Sequence, residues 1–180
     1  MRELSLHLLD LVENSLEAGA SLVEIEIVED HGRNLLSMAV SDNGKGMDTE
    51  VVARATDPFY TTRTTRSVGM GIPLLRAAAQ QCNGDLWVTS RQGEGTQVRA
   101  EFALDHIDRA PLGDLKATLM GILLSNRSCD VRYTHRVDRR QFSFDTRDLR
   151  AALGNVPLAH PRVRAWIEAF LDEGFAGLVG

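Results

Sequence analysis

Asp42-Asn43-Gly44-Lys45-Gly46-Met47 decides how this chain is read, because a carboxylate followed by two closely spaced glycines lets a backbone wrap a flat polar ligand. With glycine near 7% of ordinary sequence, an Asp-x-Gly-x-Gly arises by chance in roughly one in twenty chains of this length, so its neighbours must supply the argument. They do so in order. A helix carrying Asn14 precedes the stretch, and a second glycine pair, Gly69 and Gly71, opens a helix behind it.

From Arg2 to about Ala18, Leu4, Leu8, Leu11, Val12 and Leu16 recur at three- and four-residue intervals, the stripe of an amphipathic helix that Gly19 ends. Asp10 and Asn14 fall on the margin of that stripe with His7 alongside, while Glu13 and Glu17 point further towards solvent. Residues 22–28 alternate as a strand with one wet face, and Asp30-His31-Gly32-Arg33 turns the chain. The strand at about 35–41 then runs straight into the glycine stretch, which puts Asp42 at a strand end. A short helix is expected from about Asp48. Residues 57–68 have no periodicity and read as a cover loop rich in hydroxyls, with Arg63 and Arg66. A helix follows from about Gly69 to Cys82, with Pro73 tolerated in its first turn. Strands at about 86–90 and 97–104 form a hairpin around Arg91-Gln92-Gly93-Glu94-Gly95.

Beyond Asp105 the pattern changes. A helix is expected over 112–124, then a hairpin with Val131, Tyr133, His135, Val137, Phe142 and Phe144 on one face and Arg132 and Arg136 on the other. Asp145 or Thr146 caps a helix through Leu153, and Pro161 starts a last helix through about Leu171. The division expected is 1–104 as the ligand-binding domain and 105–180 as a small α+β extension with a docking or regulatory role, joined by a linker at about 105–113.

At 180 residues and 43% hydrophobic content the chain can bury a real core, and a formal charge of -5 argues against a general nucleic-acid binder. Charge is uneven: residues 127–164 hold nine arginines against four acids, a solvated face by default and otherwise a surface for an acidic partner. Cys82 and Cys129 lack the spacing of a zinc cluster or disulfide framework, which fits a reducing cytoplasm. No apolar run approaches the length of a membrane span.

The chemistry follows from residue type. A purine's exocyclic amine suits the Asp42 carboxylate, and Gly44 and Gly46 let backbone approach the ring. Gly69 and Gly71 at a helix start present free N–H groups, which favour phosphate. Asn14 offers a neutral oxygen to a magnesium ion otherwise held by phosphates and water. Asp10, one turn earlier, can orient or deprotonate a nucleophile, and Arg63 and Arg66 can neutralise phosphate charge during transfer. His7 and His135 read as structural histidines, and Phe59 and Tyr60 as apolar anchors of the cover loop.

These segments resemble the Bergerat-type, or histidine-kinase-like, ATP-binding domain of sensor histidine kinases, anti-sigma-factor serine kinases, MutL-type mismatch-repair proteins and type II topoisomerases. The stretch Glu13 to Ala20 is similar to the asparagine-bearing helix, closest to the mismatch-repair version, and Asp42 to Met47 to the adenine box. The run Asp57 to Arg63 resembles the lid box of sensor kinases, Gly69-Met70-Gly71-Ile72 the phosphate loop, and Gly93-Glu94-Gly95-Thr96 the last strand turn. The resemblance covers about residues 4–104. It implies an α+β two-layer sandwich, a mixed sheet with helices on one face, and Mg-ATP as ligand. The site residues it implies are Asn14 for the metal and Asp42, Gly44, Gly46, Met47 and Thr96 around the adenine. Phe59, Thr61, Thr62, Arg63, Arg66, Gly69, Met70 and Gly71 would serve the lid and phosphates, with Asp10 as the catalytic acid/base.

The chain departs from the pattern at Ser67 in place of the first phosphate-loop glycine, at Glu17 where sensor kinases often carry lysine, and at Asp10 where a glutamate is usual. There is no room upstream for a phosphoacceptor hairpin, so a kinase of this form would act on another protein. The expectation is an ATP-dependent protein kinase in cytoplasmic signalling with a separate protein partner. An ATP-hydrolysing switch and a non-catalytic ATP sensor are the alternatives.

Overall fold

In the computed structural model of the chain, which describes residues 3–57, 71–125 and 128–179, six strands form one mixed sheet covered by helices on one face. The strands are β1 (Leu22–Asp30), β2 (Leu35–Asp42), β3 (Asp85–Arg91), β4 (Gly95–Ala103), β5 (Asp130–Val137) and β6 (Arg140–Asp145), in the order β3-β4-β2-β1-β5-β6. Only the β1–β5 pairing is parallel among them; the others are antiparallel. The two-layer α+β architecture expected from the sequence is the one observed.

Registry explains why the alternating residues share one core. Val23, Ile25 and Ile27 stand opposite Asp42, Val40 and Met38 on one side and Val131, Tyr133 and His135 on the other, so one face is continuous across three strands. That face is buried, whereas Glu24, Glu26, Arg132, Gln97 and Arg99 lie on the other. Four helices cover it: α1 (Leu4–Glu17), α3 (Gly71–Gln81), α4 (Leu115–Leu124) and α6 (Pro161–Leu178). α1 is flanked by α3 and α4, and α4 by α6. Short α2 (Thr49–Ala55) is capped by Asp48, whose carboxylate accepts from Val51 N–H at 2.9 Å, and α5 (Thr146–Leu153) follows β6 directly.

Residues 105–113, expected as a linker, run back over the start of α1. The carbonyls of Pro111 and Leu112 accept from Leu4 and Ser5 N–H at 2.9 and 2.8 Å, satisfying two donors that a helix start leaves orphaned. Through β5, residues 105–180 also share the sheet and the hydrophobic cluster of residues 1–104. α6 runs seven residues beyond the expected Leu171, because Leu178 is buried and Phe175 meets Tyr133 and Phe142 edge-on. Gly174 is what lets the helix pass, since a Cβ there would overlap the Phe142 ring.

His135 is a satisfied core histidine, with Nε2 2.9 Å from Glu29 and Nδ1 3.2 Å from the Tyr133 hydroxyl. Four of the nine arginines in the arginine-rich segment form internal ion pairs among the described residues. Arg132 meets Glu24 and Asp145, Arg147 meets Asp145, Arg150 meets Asp130 and Arg164 meets Glu168.

Asp145 caps α5 and accepts from the Arg147 guanidinium at 2.6 Å, which holds its carboxyl well below the usual carboxylate range against the opposing cost of burial. A depressed folded-state value stabilises the fold above the unfolded pKa, about 3.9, and that contribution is lost as pH falls below it. Asp145→Asn should therefore flatten the fall in stability below about pH 4. Urea denaturation across acid pH checks this, and an unchanged slope contradicts it.

Candidate functional site

α1 and the ends of β2 and β4 enclose a cavity of about 300 Å³ beside the glycine stretch. Leu11, Val40, Met47, Val51, Ile72 and Val98 give it apolar walls, and Asn14, Asp42, Lys45, Gln92 and Thr96 supply the polar groups. Apolar walls with a few convergent polar groups suit a flat heteroaromatic ring.

Asp42 is fixed from both sides. One carboxylate oxygen accepts from the Ser15 hydroxyl at 2.7 Å and the other from Gly44 N–H at 2.8 Å, so the group is oriented before any ligand arrives. Thr96 is its register partner across β2–β4 and so lines the same cavity. The Asn43 side chain binds Ser21 and Leu22 N–H at 2.9 and 3.0 Å, tying the stretch to the turn after α1. Behind it the β3–β4 hairpin locks on: Gly93 N–H donates to the Lys45 carbonyl at 2.7 Å, and Met47 N–H donates to the Ser90 hydroxyl at 2.8 Å. Ser90 reaches the Gly95 carbonyl and the Thr96 hydroxyl, each at 2.8 Å.

The glycines are required by this interlock. Gly46 has φ +66°, and a Cβ there would overlap the Arg91 carbonyl; Gly95 has φ +110°, and a Cβ there would overlap the Asp42 carbonyl. Gly44 faces Ala18, whose Cβ and carbonyl oxygen lie 2.9 Å from where its own Cβ would be, and it does not line the cavity.

At the other end, Asp10 and Gly71 are neighbours. A Cβ on Gly71, the first residue of α3, would lie 3.4 Å from an Asp10 carboxylate oxygen. Neither residue lines the cavity, and Asp10 lies one helical turn before Asn14, which does. Asn14 has no hydrogen bond from its carboxamide among the described residues and is half-buried, so its oxygen is available to a ligand. No group of three or more His, Cys, Asp or Glu side chains among the described residues could hold a metal on its own. The Asn14 oxygen is the kind of neutral oxygen donor that magnesium takes alongside water and phosphate oxygens.

The structure thus brings Asn14, Asp42, Gly46, Met47 and Thr96 together in one cavity. Phe59, Tyr60, Thr61, Thr62, Arg63, Arg66, Ser67, Gly69 and Met70 lie outside the described residues. Sequence reasoning missed Ser15, Ser90 and Gln92. Ser15 carried a signal: a hydroxyl at the centre of an apolar helical stripe must find a buried partner, and its partner is Asp42. Ser90 and Gln92 sit in a hairpin whose register no local pattern announces.

Residues 2–106 match the family described as "Histidine kinase-, DNA gyrase B-, and HSP90-like ATPase". Among curated relatives, the chain is 37% identical over 108 residues to the sensor protein kinase FleS of Pseudomonas aeruginosa, covering 60% of this chain and 26% of that one. It is 29% identical over 97 residues to the sensor histidine kinase YvrG of Bacillus subtilis, covering 52% and 17%. The chain therefore spans about a quarter or less of the length of these proteins. Among solved structures, the N-terminal domain of a DNA repair protein superposes with a TM-score of 0.57 at 18% identity, over 80% of this chain and 53% of that one. Since 80% of 180 residues is 144, the shared fold reaches past the 105 residues of the family match into the C-terminal segment. No helix among the described residues is long and apolar enough to cross a membrane.

Proposed function

Since the chain belongs to the histidine kinase-, DNA gyrase B- and HSP90-like ATPase family, we propose that it binds Mg-ATP in the cavity beside Asp42 and passes the γ-phosphoryl group to a separate protein partner in cytoplasmic signalling. The observation that carries this reading is the Asp42 carboxylate, oriented by Ser15 and Gly44 at the base of an apolar slot. Such a group accepts from the adenine N6 amine and repels the carbonyl that guanine carries at the same edge. The names of the relatives, sensor protein kinase and sensor histidine kinase, support phosphoryl transfer over other uses of ATP.

Asn14 would hold the magnesium ion, which when bound neutralises charge on the phosphates. Asp10 then serves the incoming nucleophile by accepting its proton, and the N-terminus of α3 beside it favours negative charge at the same end of the site. Arg63 and Arg66, with the hydroxyls of Thr61 and Thr62 and the backbone of Gly69 and Met70, are the groups proposed to meet the phosphates. Phe59 would anchor the lid.

Incubation with γ-labelled ATP and a cell extract should label a partner protein. Free phosphate without labelled protein indicates an ATPase switch instead, and tight binding with neither product indicates a sensor. Asn14→Ala should lose the magnesium-dependent part of ATP affinity, about 10-fold on the scale of one hydrogen bond to a charged group. Titration of ATP with and without magnesium measures it, and an unchanged magnesium increment removes Asn14 from the metal.

A further inference from the structure

His7 and Asp10 stand three residues apart on α1, and His7 carries a buried ring nitrogen with no hydrogen-bond partner. His7 is 3% exposed, and its Nδ1 has no partner; it is the one such side-chain atom among the described residues. The Asp10 carboxylate, half-buried against Gly71, likewise accepts no hydrogen bond among the described residues. At 100° per residue, His7, Asp10 and Asn14 fall on one flank of the helix. Helical side chains lean towards the N-terminus, so Asp10 lies over the turn that holds His7, and Asn14 over the turn that holds Asp10. On that flank Gly71, the first residue of α3, lies beside Asp10.

Leaving a buried imidazole nitrogen unpaired is costly, and an apolar side chain of similar size would avoid that cost. His7 therefore needs an account that packing does not provide. Its imidazole is held below its ordinary pKa, chiefly by burial, so it is neutral near pH 7 and can donate from Nδ1 without carrying charge.

We propose that His7 is the positioning residue for Asp10: with Mg-nucleotide bound, Nδ1–H donates to one carboxylate oxygen and holds the other towards the nucleophile. This inference rests on the proposed role of Asp10. In the step it serves, Asp10 takes the proton of the attacking hydroxyl, imidazole or water as that atom bonds to the γ-phosphorus. The bond from phosphorus to the bridging oxygen breaks, and its electron pair leaves on ADP. His7 keeps its proton throughout.

The test uses the full chain with ¹⁵N-labelled imidazoles, magnesium and a non-hydrolysable ATP analogue. The Nδ1 resonance of His7 should move to a hydrogen-bonded position on adding Mg-analogue in the parent protein and stay unbonded in Asp10→Ala. An Nδ1 signal that responds identically with and without Asp10 overturns the assignment, whether or not turnover is seen. Turnover supplies the second arm. His7→Leu should reduce it by about 10- to 100-fold, with ATP affinity and thermal stability at or above the parent's, and His7→Gln should recover part of the loss. In the Asp10→Ala background, His7→Leu should cost nothing more. If Asp10→Ala loses turnover and His7→Leu does not, His7 is only a packing residue. If Asp10→Ala keeps full turnover, the base reading itself falls and His7 with it.

Discussion

Asp42→Asn is expected to weaken ATP binding by about 100-fold while leaving the fold intact. The substitution keeps the shape and removes an acceptor. In the free protein the carboxylate already accepts from the Ser15 hydroxyl and Gly44 N–H, at 2.7 and 2.8 Å. Adenine N6 adds a third donor. A carboxylate has about four lone-pair sites and takes all three; a carboxamide has one acceptor oxygen, and its NH₂ must face at least one of these donors. An unsatisfied, charge-assisted bond in a partly buried slot costs about 3 kcal/mol, which is about two decades in Kd. Ser15 can turn its hydroxyl to the Leu11 carbonyl, 3.2 Å away, so the free protein absorbs the change more easily than the complex. Calorimetric titration, with circular dichroism as the folding control, checks both halves. Parental affinity in a folded Asp42→Asn protein would show that the carboxylate does not meet the base.

Gly95→Ala should destabilise the protein by about 3 kcal/mol and lower Tm by about 6–12 °C. Two costs combine. At φ +110° an alanine is strained in any surroundings, and its Cβ would overlap the carbonyl oxygen of Asp42, which is backbone and can yield only if β4 separates from β2. That movement also breaks the links from Ser90 to Gly95, Thr96 and Met47, so ATP affinity should fall about 10-fold through loss of pre-organisation. Gly93 in the same hairpin provides the control. It has φ +81° but nothing within 4 Å of its missing Cβ, so Gly93→Ala should cost only the conformational strain, about 1 kcal/mol. Thermal unfolding of both variants decides the matter, and equal losses would mean that backbone contact with Asp42 adds nothing.

These two residues mark what the sequence makes legible. The stripe of α1, the alternation of β1 and the strand that delivers Asp42 are local periodicities, and each appears where its spacing puts it. Spacing alone suggests that Gly44 and Gly46 clear space for a ligand and that Gly95 serves a hairpin turn. Yet Gly46 and Gly95 clear space for the backbone of other strands, contacts between segments some fifty residues apart. The parallel seating of β5 on β1 is equally silent in the sequence, since Val131, Tyr133 and His135 alternate whichever strand they join. The length of α6 is silent for a related reason: glycine is a poor helix former, and only the Phe142 ring beside Gly174 explains its place inside a helix. Ser15 stands between these cases, its need for a partner visible and its partner not.

The central claim is that the cavity beside Asp42 selects adenine. Titration of the parent protein with Mg-ATP and Mg-GTP under identical conditions tests it most directly. Binding of ATP at least about 100-fold tighter than GTP is the expected result, since guanine turns a carbonyl oxygen rather than an amine towards the fixed carboxylate. Equal affinity for the two nucleotides, or no binding of ATP, would contradict the account.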